Sequence, residues 1–114
     1  MIYVIDHKDS FTHNVVHQLS LFDEVECDNY NNVDKIKLNK AKVIVFSPGP
    51  GNPKNYPLTS KIYNQFKGKK KIIGICLGFQ QILFCEGAQI VEQNKIYHGY
   101  QSNIKAVSYT HLRA

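Results

Sequence analysis

Short apolar segments alternate along this chain with segments in which apolar residues recur every three or four positions. A short continuous apolar run is typical of a buried strand, whereas the longer spacing places apolar side chains on one face of a helix. The predicted strands are Ile2–Ile5, Val25–Cys27, Val43–Phe46, Ile72–Ile75 and Gln89–Glu92. The predicted helices lie within Phe11–Leu19, Val33–Lys40, Leu58–Phe66 and Leu77–Glu86. The pattern therefore predicts the order β-α-β-α-β-α-β-α-β.

This alternation predicts an α/β fold with a three-layer, open, mostly parallel sheet and helices on both of its faces. Ligands of such sheets bind beyond the carboxyl ends of the strands. Three segments of interest directly follow predicted strands, namely Asp6–Ser10, Ser47–Pro53 and Cys76. We therefore expect these segments to meet at one edge of the sheet and to form a site.

The composition is that of one small domain, since 114 residues with 43% hydrophobic content are enough for a single core. The formal net charge of +5 does not predict nucleic-acid binding, because the lysines are scattered and their one run, Lys67–Lys71, contains no aromatic residues. No apolar run approaches the roughly 20 residues of a membrane span. We therefore expect a soluble protein with no nucleic-acid or membrane partner.

The cysteines indicate a reducing compartment. Cys27, Cys76 and Cys85 form no C-x-x-C pair, and no secretory signal peptide precedes them. The histidines are not clustered at the spacing of a metal site. We expect a cytoplasmic protein that uses neither a metal nor another cofactor.

Cys76 lies where a buried strand must turn into a helix, which is a position suited to a nucleophile. Gly74 and Gly78 on either side leave room for a tight turn. Unpaired backbone N–H groups and the helix dipole favour the thiolate at a helix N-terminus. The alternative is a small buried core cysteine, since free cysteines are among the most buried residues. The flanking glycines, together with the rest of the chain, favour the nucleophile.

The loop Ser47–Pro53, with the sequence Ser-Pro-Gly-Pro-Gly-Asn-Pro, is the second candidate element. Its glycines permit positive φ and close approach of a ligand, and its prolines fix the loop and remove competing N–H groups. The loop alone is also compatible with a rigid turn that has no function. Its position at a strand end, together with Cys76, favours a functional role.

Four motifs together resemble those of class I glutamine amidotransferases. Their order and spacing are most similar to the glutaminase subunits of anthranilate synthase and aminodeoxychorismate synthase. The motifs are Asp6-x-x-Asp9-Ser10-Phe11-Thr12-x-Asn14, the Ser47–Pro53 loop, Gly74-Ile75-Cys76-Leu77-Gly78-x-Gln80 and His98-Gly99. The resemblance spans residues 1–105 and implies a flavodoxin-like sheet.

The resemblance also implies an activity, namely hydrolysis of glutamine to glutamate and ammonia. A partner, the chorismate-utilising synthase subunit called component I, would receive the ammonia for anthranilate or 4-amino-4-deoxychorismate synthesis, and so for tryptophan or folate. Cys76 matches the nucleophile that forms a thioester. The N–H groups of Leu77 and Gly51 would form the oxyanion hole. The residues matching those that hold the glutamine substrate are Gly49, Pro50, Gly51 and Gln80.

The chain departs from the family in two ways. It has Phe79 where the family usually has a histidine that is not the base, so we expect altered packing behind the turn rather than lost chemistry. It also lacks the downstream His-Pro-Glu type segment that supplies the base and its carboxylate.

None of the histidines in the chain replaces that base. His7-x-Asp9 looks like a base with its orienting carboxylate, but the family position has no requirement for histidine and the spacing is common by chance. His13 and His17 belong to the first predicted helix, where exposed or capping roles are expected. His98 matches the family's His-Gly pair, whose histidine is not the base.

The last eight residues, 107–114, fit no continuation of the family pattern and resemble the translation of a transposase adapter used in sequencing libraries. We therefore expect a partial amidotransferase domain at 1–106, incomplete at the C-terminus, followed by a non-native tail that includes His111. Such a fragment is expected to be marginally stable and to have no glutaminase activity.

Three other functions are compatible with parts of the sequence. A catalytically dead interaction subunit would retain the same motifs. A cysteine redox or sensor module on a flavodoxin-like fold would oxidise Cys76 reversibly, although neither Cys27 nor Cys85 is an obvious resolving partner. A nucleotide-binding module would use the Ser47–Pro53 loop, but the G-x-x-x-x-G-K and G-x-G-x-x-G patterns are absent.

Overall fold

The computed structural model describes residues 1–87. The strands are β1 (Ile2–Asp6), β2 (Val25–Asn29), β3 (Val43–Phe46) and β4 (Lys71–Gly74). The helices are α1 (Thr12–Leu19), α2 (Lys35–Lys40), α3 (Pro57–Phe66) and α4 (Leu77–Cys85), with a short 3-10 helix at Pro53–Asn55. The predicted strand Gln89–Glu92, the pair His98-Gly99 and the predicted domain boundary at residue 106 lie outside the described residues.

The strands form one parallel sheet in the order β2-β1-β3-β4. The chain moves outward from β1 through α1 to β2 and then returns across β1 to β3, so the winding direction reverses between β1 and β3. This is the doubly wound, flavodoxin-like order, in which the reversal opens a crevice at the carboxyl ends of the strands. Because β3 pairs with β4, with Phe46 opposite Gly74, the segments after these two strands begin side by side.

Helices cover both faces of the sheet, as predicted. One face carries α2, α3 and α4, and its buried apolar residues are Tyr3, Ile5, Leu38, Ala41, Ile44, Phe46, Ile62, Tyr63, Phe66, Ile72 and Ile82. The other face carries α1, and its buried apolar residues are Ile2, Val4, Val15 and Val45. The alternation along β1 and β3 divides these side chains between the two faces. The predicted three-layer α/β fold is confirmed.

Several bounds differ from the predicted ones by one or two residues for local reasons. Helix α1 begins at Thr12, because the Asp9 carboxylate accepts from the Phe11 N–H (3.0 Å) in the turn before the helix. Helix α2 begins at Lys35, because the Asp34 carboxylate caps it by accepting from the Ile36 N–H (2.8 Å).

Within residues 1–87, no helix is long and apolar enough to cross a membrane.

Candidate active site

Cys76 is the turn residue between β4 and α4 and has a backbone conformation that is rare for any residue with a side chain. Its φ is 53° and its ψ is −108°, and the residue is exposed. A non-glycine residue in such a region costs of order 1–3 kcal/mol and persists only where its surroundings impose it. The alternative of a buried core cysteine is therefore wrong, because the turn presents Cys76 to solvent.

The two glycines beside Cys76 impose this turn by allowing backbone to touch backbone. A Cβ at Gly74 would lie 2.4 Å from the Gly78 carbonyl carbon, and a Cβ at Gly78 would lie 2.1 Å from the Phe46 carbonyl oxygen. Neither position can therefore carry a side chain without moving α4. Helix α4 therefore packs directly against Phe46 at the end of β3 and against Gly74, where the turn to α4 begins.

The first turn of α4 leaves the backbone donor that follows Cys76 free. The Gly78 N–H donates to the Ile75 carbonyl (3.0 Å) and the Gln80 N–H donates to the Cys76 carbonyl (3.0 Å). Among residues 1–87, the Leu77 N–H has no such acceptor, as is usual for the first residue of a helix. Helix α4 therefore begins with an unpaired N–H group, that of Leu77, directly after the cysteine.

The Ser47–Pro53 loop follows β3 and is packed against the start of α4. A Cβ at Gly49 would lie 2.5 Å from the His7 Cβ and 2.8 Å from the Leu77 Cδ2, so only glycine fits between these two residues. Gly51 has a φ of +82°, which favours glycine because a residue with a Cβ rarely adopts this backbone conformation. Pro50 and Gly51 are exposed at the same carboxyl edge of the sheet as Cys76.

Three carbonyl oxygens between Ser47 and Pro50 accept hydrogen bonds. The Ser47 oxygen faces the His7 Nδ1 at 3.1 Å, the Pro48 oxygen accepts from the Ser47 hydroxyl at 2.8 Å, and the Pro50 oxygen accepts from the Tyr56 hydroxyl at 2.6 Å. Among residues 1–87, no acceptor is found for the Gly51 N–H. The loop thus has engaged carbonyls at Ser47, Pro48 and Pro50 and a free donor at Gly51.

Gln81 anchors the far end of the loop from α4, and sequence reasoning missed this residue. Its fully buried amide nitrogen lies 3.0 Å from the Pro53 oxygen, 3.2 Å from the Tyr56 oxygen and 2.7 Å from the Ser60 hydroxyl. Its signal in the sequence is the second of two adjacent glutamines inside the apolar run of α4. The helix that begins after Cys76 therefore packs against the loop at Gly49, through Leu77, and holds its end at Pro53, through Gln81.

His7 is a second residue whose role the sequence did not reveal. It is fully buried, its backbone N–H donates to the Ser47 hydroxyl (2.8 Å), and its Nε2 lies 2.9 Å from the Thr59 hydroxyl. Because a carbonyl oxygen can only accept, we assign the ring proton to Nδ1, which faces the Ser47 carbonyl, and Nε2 then accepts from Thr59. Burial lowers the pKa of His7, against the opposing influences of the Ser47 carbonyl and the Asp6 charge.

These contacts agree with the expectation that His7 is not a catalytic base. Both ring nitrogens are occupied, and the ring packs against Tyr30 and Tyr56 at centroid distances of 5.8 and 4.7 Å. The Asp9 carboxylate accepts from the Phe11 N–H rather than orienting His7. His13 and His17 are exposed on α1, as predicted.

The predicted site residues lie at one edge of the sheet. Gly49 contacts Leu77, and Gln80 is half-buried on α4, one turn after Cys76. Phe79, at the departure from the family pattern, is buried in α4. The other two thiols are half-buried, and burial raises the pKa of Cys27 to about 11 and also raises the pKa of Cys85.

Sequence comparison relates the chain to known proteins. Residues 3–112 match the sequence profile of the family described as glutamine amidotransferase class-I. The chain is 35% identical over 113 residues to anthranilate synthase component 2 of Lactococcus lactis, covering 95% of this chain and 55% of that protein. It is 33% identical over 108 residues to aminodeoxychorismate/anthranilate synthase component 2 of Bacillus subtilis, covering 92% and 56%.

A solved structure supports the same relationship. The fold superposes with a TM-score of 0.66 and 25% identity on the crystal structure of a Thermoplasma acidophilum protein assigned to GMP synthase, covering 82% of this chain and 48% of that one. The chain spans about half the length of the curated relatives it matches. With the profile matched over nearly its whole length, the chain belongs to the class I glutamine amidotransferase family.

Proposed function

We propose that this chain carries the nucleophile half of a glutaminase site, and that the full-length protein containing it hydrolyses glutamine to glutamate and ammonia. The observation that carries the proposal is the conformation of Cys76, an exposed cysteine held at a φ of 53° beside a loop with a free donor. Strain of this kind clusters at functional sites. Membership of the amidotransferase family supports the same reaction.

In the proposed reaction, the Cys76 thiolate attacks the side-chain amide carbon of glutamine and forms a C–S bond and a tetrahedral oxyanion. Collapse of the oxyanion breaks the C–N bond, and the nitrogen leaves as ammonia after it gains a proton. Water then attacks the thioester and releases glutamate and the free thiol. Because both ring nitrogens of His7 are occupied, we assign the proton transfers to a histidine outside residues 1–87.

We assign the oxyanion hole to the N–H groups of Leu77 and Gly51. The absence of an acceptor for either group within residues 1–87 supports this assignment. Removing one such donor typically costs about a hundredfold to a thousandfold in rate. Glutamine would be held by residues of the loop and the first turns of α4, namely Gly49, Pro50, Gly51 and Gln80.

The proposed partner is component I, a chorismate-utilising synthase subunit that takes up the ammonia. The designation component 2 of the relatives supports a two-subunit assembly, and their names cover both anthranilate and aminodeoxychorismate synthesis. The proposal therefore covers the tryptophan and the folate branch. The free state of Cys27, Cys76 and Cys85 supports a reducing, cytoplasmic location.

Glutamine-dependent ammonia release by the full-length protein, measured with its synthase subunit, tests the proposal. We expect the wild type to release ammonia and Cys76→Ala to fall to background. Cys27→Ala is the matched control and is expected to keep the activity, because Cys27 lies on β2, at the far side of the sheet from β4. Ammonia release that survives Cys76→Ala would refute the proposal.

Chemical labelling separates the proposed function from its alternatives. A glutamine-analogue electrophile should modify Cys76 and leave Cys27 and Cys85 unmodified, as read by peptide mass spectrometry. Trapping of a sulfenic acid at Cys76 without labelling by the analogue would favour a redox or sensor module. Binding of the synthase subunit without labelling or ammonia release would favour a catalytically dead interaction subunit.

A further inference from the structure

The Pro50–Gly51 peptide can point its N–H in two opposite directions. Within residues 1–87 all peptide bonds are trans, so the C=O of Pro50 and the N–H of Gly51 lie in one plane and point in opposite directions. Proline fixes its own φ, but glycine accepts either sign of φ with similar ease. The local sequence therefore does not determine which way this peptide faces, and a contact from elsewhere must do so.

Tyr56 provides that contact. Its hydroxyl donates to the Pro50 carbonyl oxygen at 2.6 Å, on the buried side of the loop. The Gly51 N–H must then point away from the Tyr56 ring, towards the exposed side. A flipped peptide would exchange this short O–H···O=C bond for an N–H···O contact with the hydroxyl as acceptor, and would expose the carbonyl in place of the donor.

Tyr56 is itself held by its neighbours. It is 5% exposed, and its ring packs edge-on against His7 and Tyr30 at centroid distances of 4.7 and 4.8 Å. Its carbonyl lies 3.2 Å from the Gln81 amide nitrogen. Burial raises the pKa of Tyr56, so its hydroxyl remains protonated and able to donate at neutral pH.

We propose that Tyr56 is a positioning residue of the oxyanion hole, whose hydroxyl holds the Pro50–Gly51 peptide so that the Gly51 N–H faces the exposed edge. This inference rests on the proposed function, since that function gives the orientation of the donor its consequence. Tyr56 touches neither the thiol nor the substrate in this role. It acts only by fixing the orientation of the Pro50–Gly51 peptide plane.

The first test compares two phenylalanine variants of the full-length protein. Tyr56→Phe removes the hydroxyl and keeps the ring packing. Tyr63→Phe is the matched control, because Tyr63 is also buried and donates to a side chain, that of Glu86, at the opposite end of α4 from Cys76. Both variants remove one buried hydroxyl from the same side of the sheet.

We expect Tyr56→Phe to lower kcat for glutamine hydrolysis by about tenfold to a hundredfold, below the cost of removing a donor outright. The KM for glutamine should change by less than about threefold, because the donor acts on the transition state. Tyr63→Phe should leave both constants within about twofold of the wild type. A kcat for Tyr56→Phe equal to that of Tyr63→Phe would overturn the proposal.

The second test reads the peptide itself and does not depend on catalysis. In ¹⁵N-labelled full-length protein, Tyr56→Phe should shift and broaden the Gly51 amide resonance, while Tyr63→Phe should leave it in place. An unchanged Gly51 resonance in Tyr56→Phe overturns the inference even if the enzyme is active. If the wild type releases no ammonia, the proposed function fails, and the Gly51 resonance alone decides whether Tyr56 orients the peptide.

Discussion

Acidification should destabilise the folded protein through His7. The ring is fully buried, its two nitrogens face Ser47 and Thr59, and the rings of Tyr30 and Tyr56 pack against it. Asp6 is the charged residue whose interaction opposes the lowered pKa of His7. Protonation would replace the Nε2 acceptor of the Thr59 hydroxyl with a donor and would bury a positive charge among aromatic rings.

The sign follows from the direction of the pKa shift. The pKa of His7 lies below 6.5 in the folded protein, whereas the unfolded chain keeps a value near 6.5. Below pH 6.5 the unfolded chain therefore binds a proton that the folded protein does not, so the free energy of unfolding decreases as the pH falls. If His7 stays neutral when folded, the loss between pH 7.5 and 5.5 is about 1.4 kcal/mol, and it levels off below the folded pKa.

Urea unfolding of the full-length protein at pH 7.5, 6.5 and 5.5 measures this loss. His7→Asn is the informative variant, because its amide nitrogen can take the place of Nδ1 and donate to Ser47 without titrating. We expect the wild type to lose up to about 1.4 kcal/mol more than His7→Asn over this range. His13→Asn, at an exposed position on α1, is the control and should follow the wild type.

Parallel pH profiles for the wild type and His7→Asn would refute the reasoning. That result would mean that His7 binds its proton equally well in the folded and unfolded states. A profile in which His13→Asn also loses its pH dependence would contradict the reasoning too, because the effect would then not belong to the buried ring.

Two further predictions concern the turn at Cys76. Gly78→Ala should lower the free energy of unfolding by about 2 kcal/mol, because the clash with the Phe46 carbonyl outweighs the gain in helix propensity; a loss below about 0.5 kcal/mol in urea unfolding would contradict the docking of α4 on β3. Cys76→Gly should be more stable than Cys76→Ala by about 1 kcal/mol, because glycine relieves the strain of positive φ while alanine keeps it; equal stability of the two variants in the same assay would show that the turn is not strained.

Local pattern was sufficient to predict the interior strands. The continuous apolar runs at β1 and β3 were predicted to within one residue, because parallel strands covered on both faces have few polar positions. Strand β2 extends beyond the predicted Cys27 to Asn29, and here the pattern failed. Asp28 is polar, but it accepts from the Tyr3 hydroxyl (2.6 Å) and pairs with Lys37 (3.0 Å), contacts that only the folded chain provides.

The site was predictable only in part, for the same physical reason. Cys76 and the Ser47–Pro53 loop carry local signals, since tight turns and close approaches require glycine and proline. The roles of His7, Tyr56 and Gln81 depend on partners distant in sequence: His7 meets Thr59 across 52 residues, and Gln81 meets Tyr56 across 25. No periodicity or spacing in the sequence encodes such pairs, so these residues emerged only from the structure.

The Ser47–Pro53 loop and the turn at Cys76 act together because three carbonyl groups of the loop are engaged within the protein while free N–H groups of both segments lie at the exposed edge of the sheet. The carbonyls of Ser47, Pro48 and Pro50 are engaged by His7, by the Ser47 hydroxyl and by Tyr56. Pro48 and Pro50 have no N–H, and the Gly51 N–H, for which no acceptor is found among residues 1–87, lies at the same exposed sheet edge as the unpaired Leu77 N–H. An edge with these free donors and with these three carbonyls engaged favours negative charge. The buried side chains of His7 and Tyr56 thus contribute to the electrostatics of the site through the loop carbonyls that they engage, rather than directly.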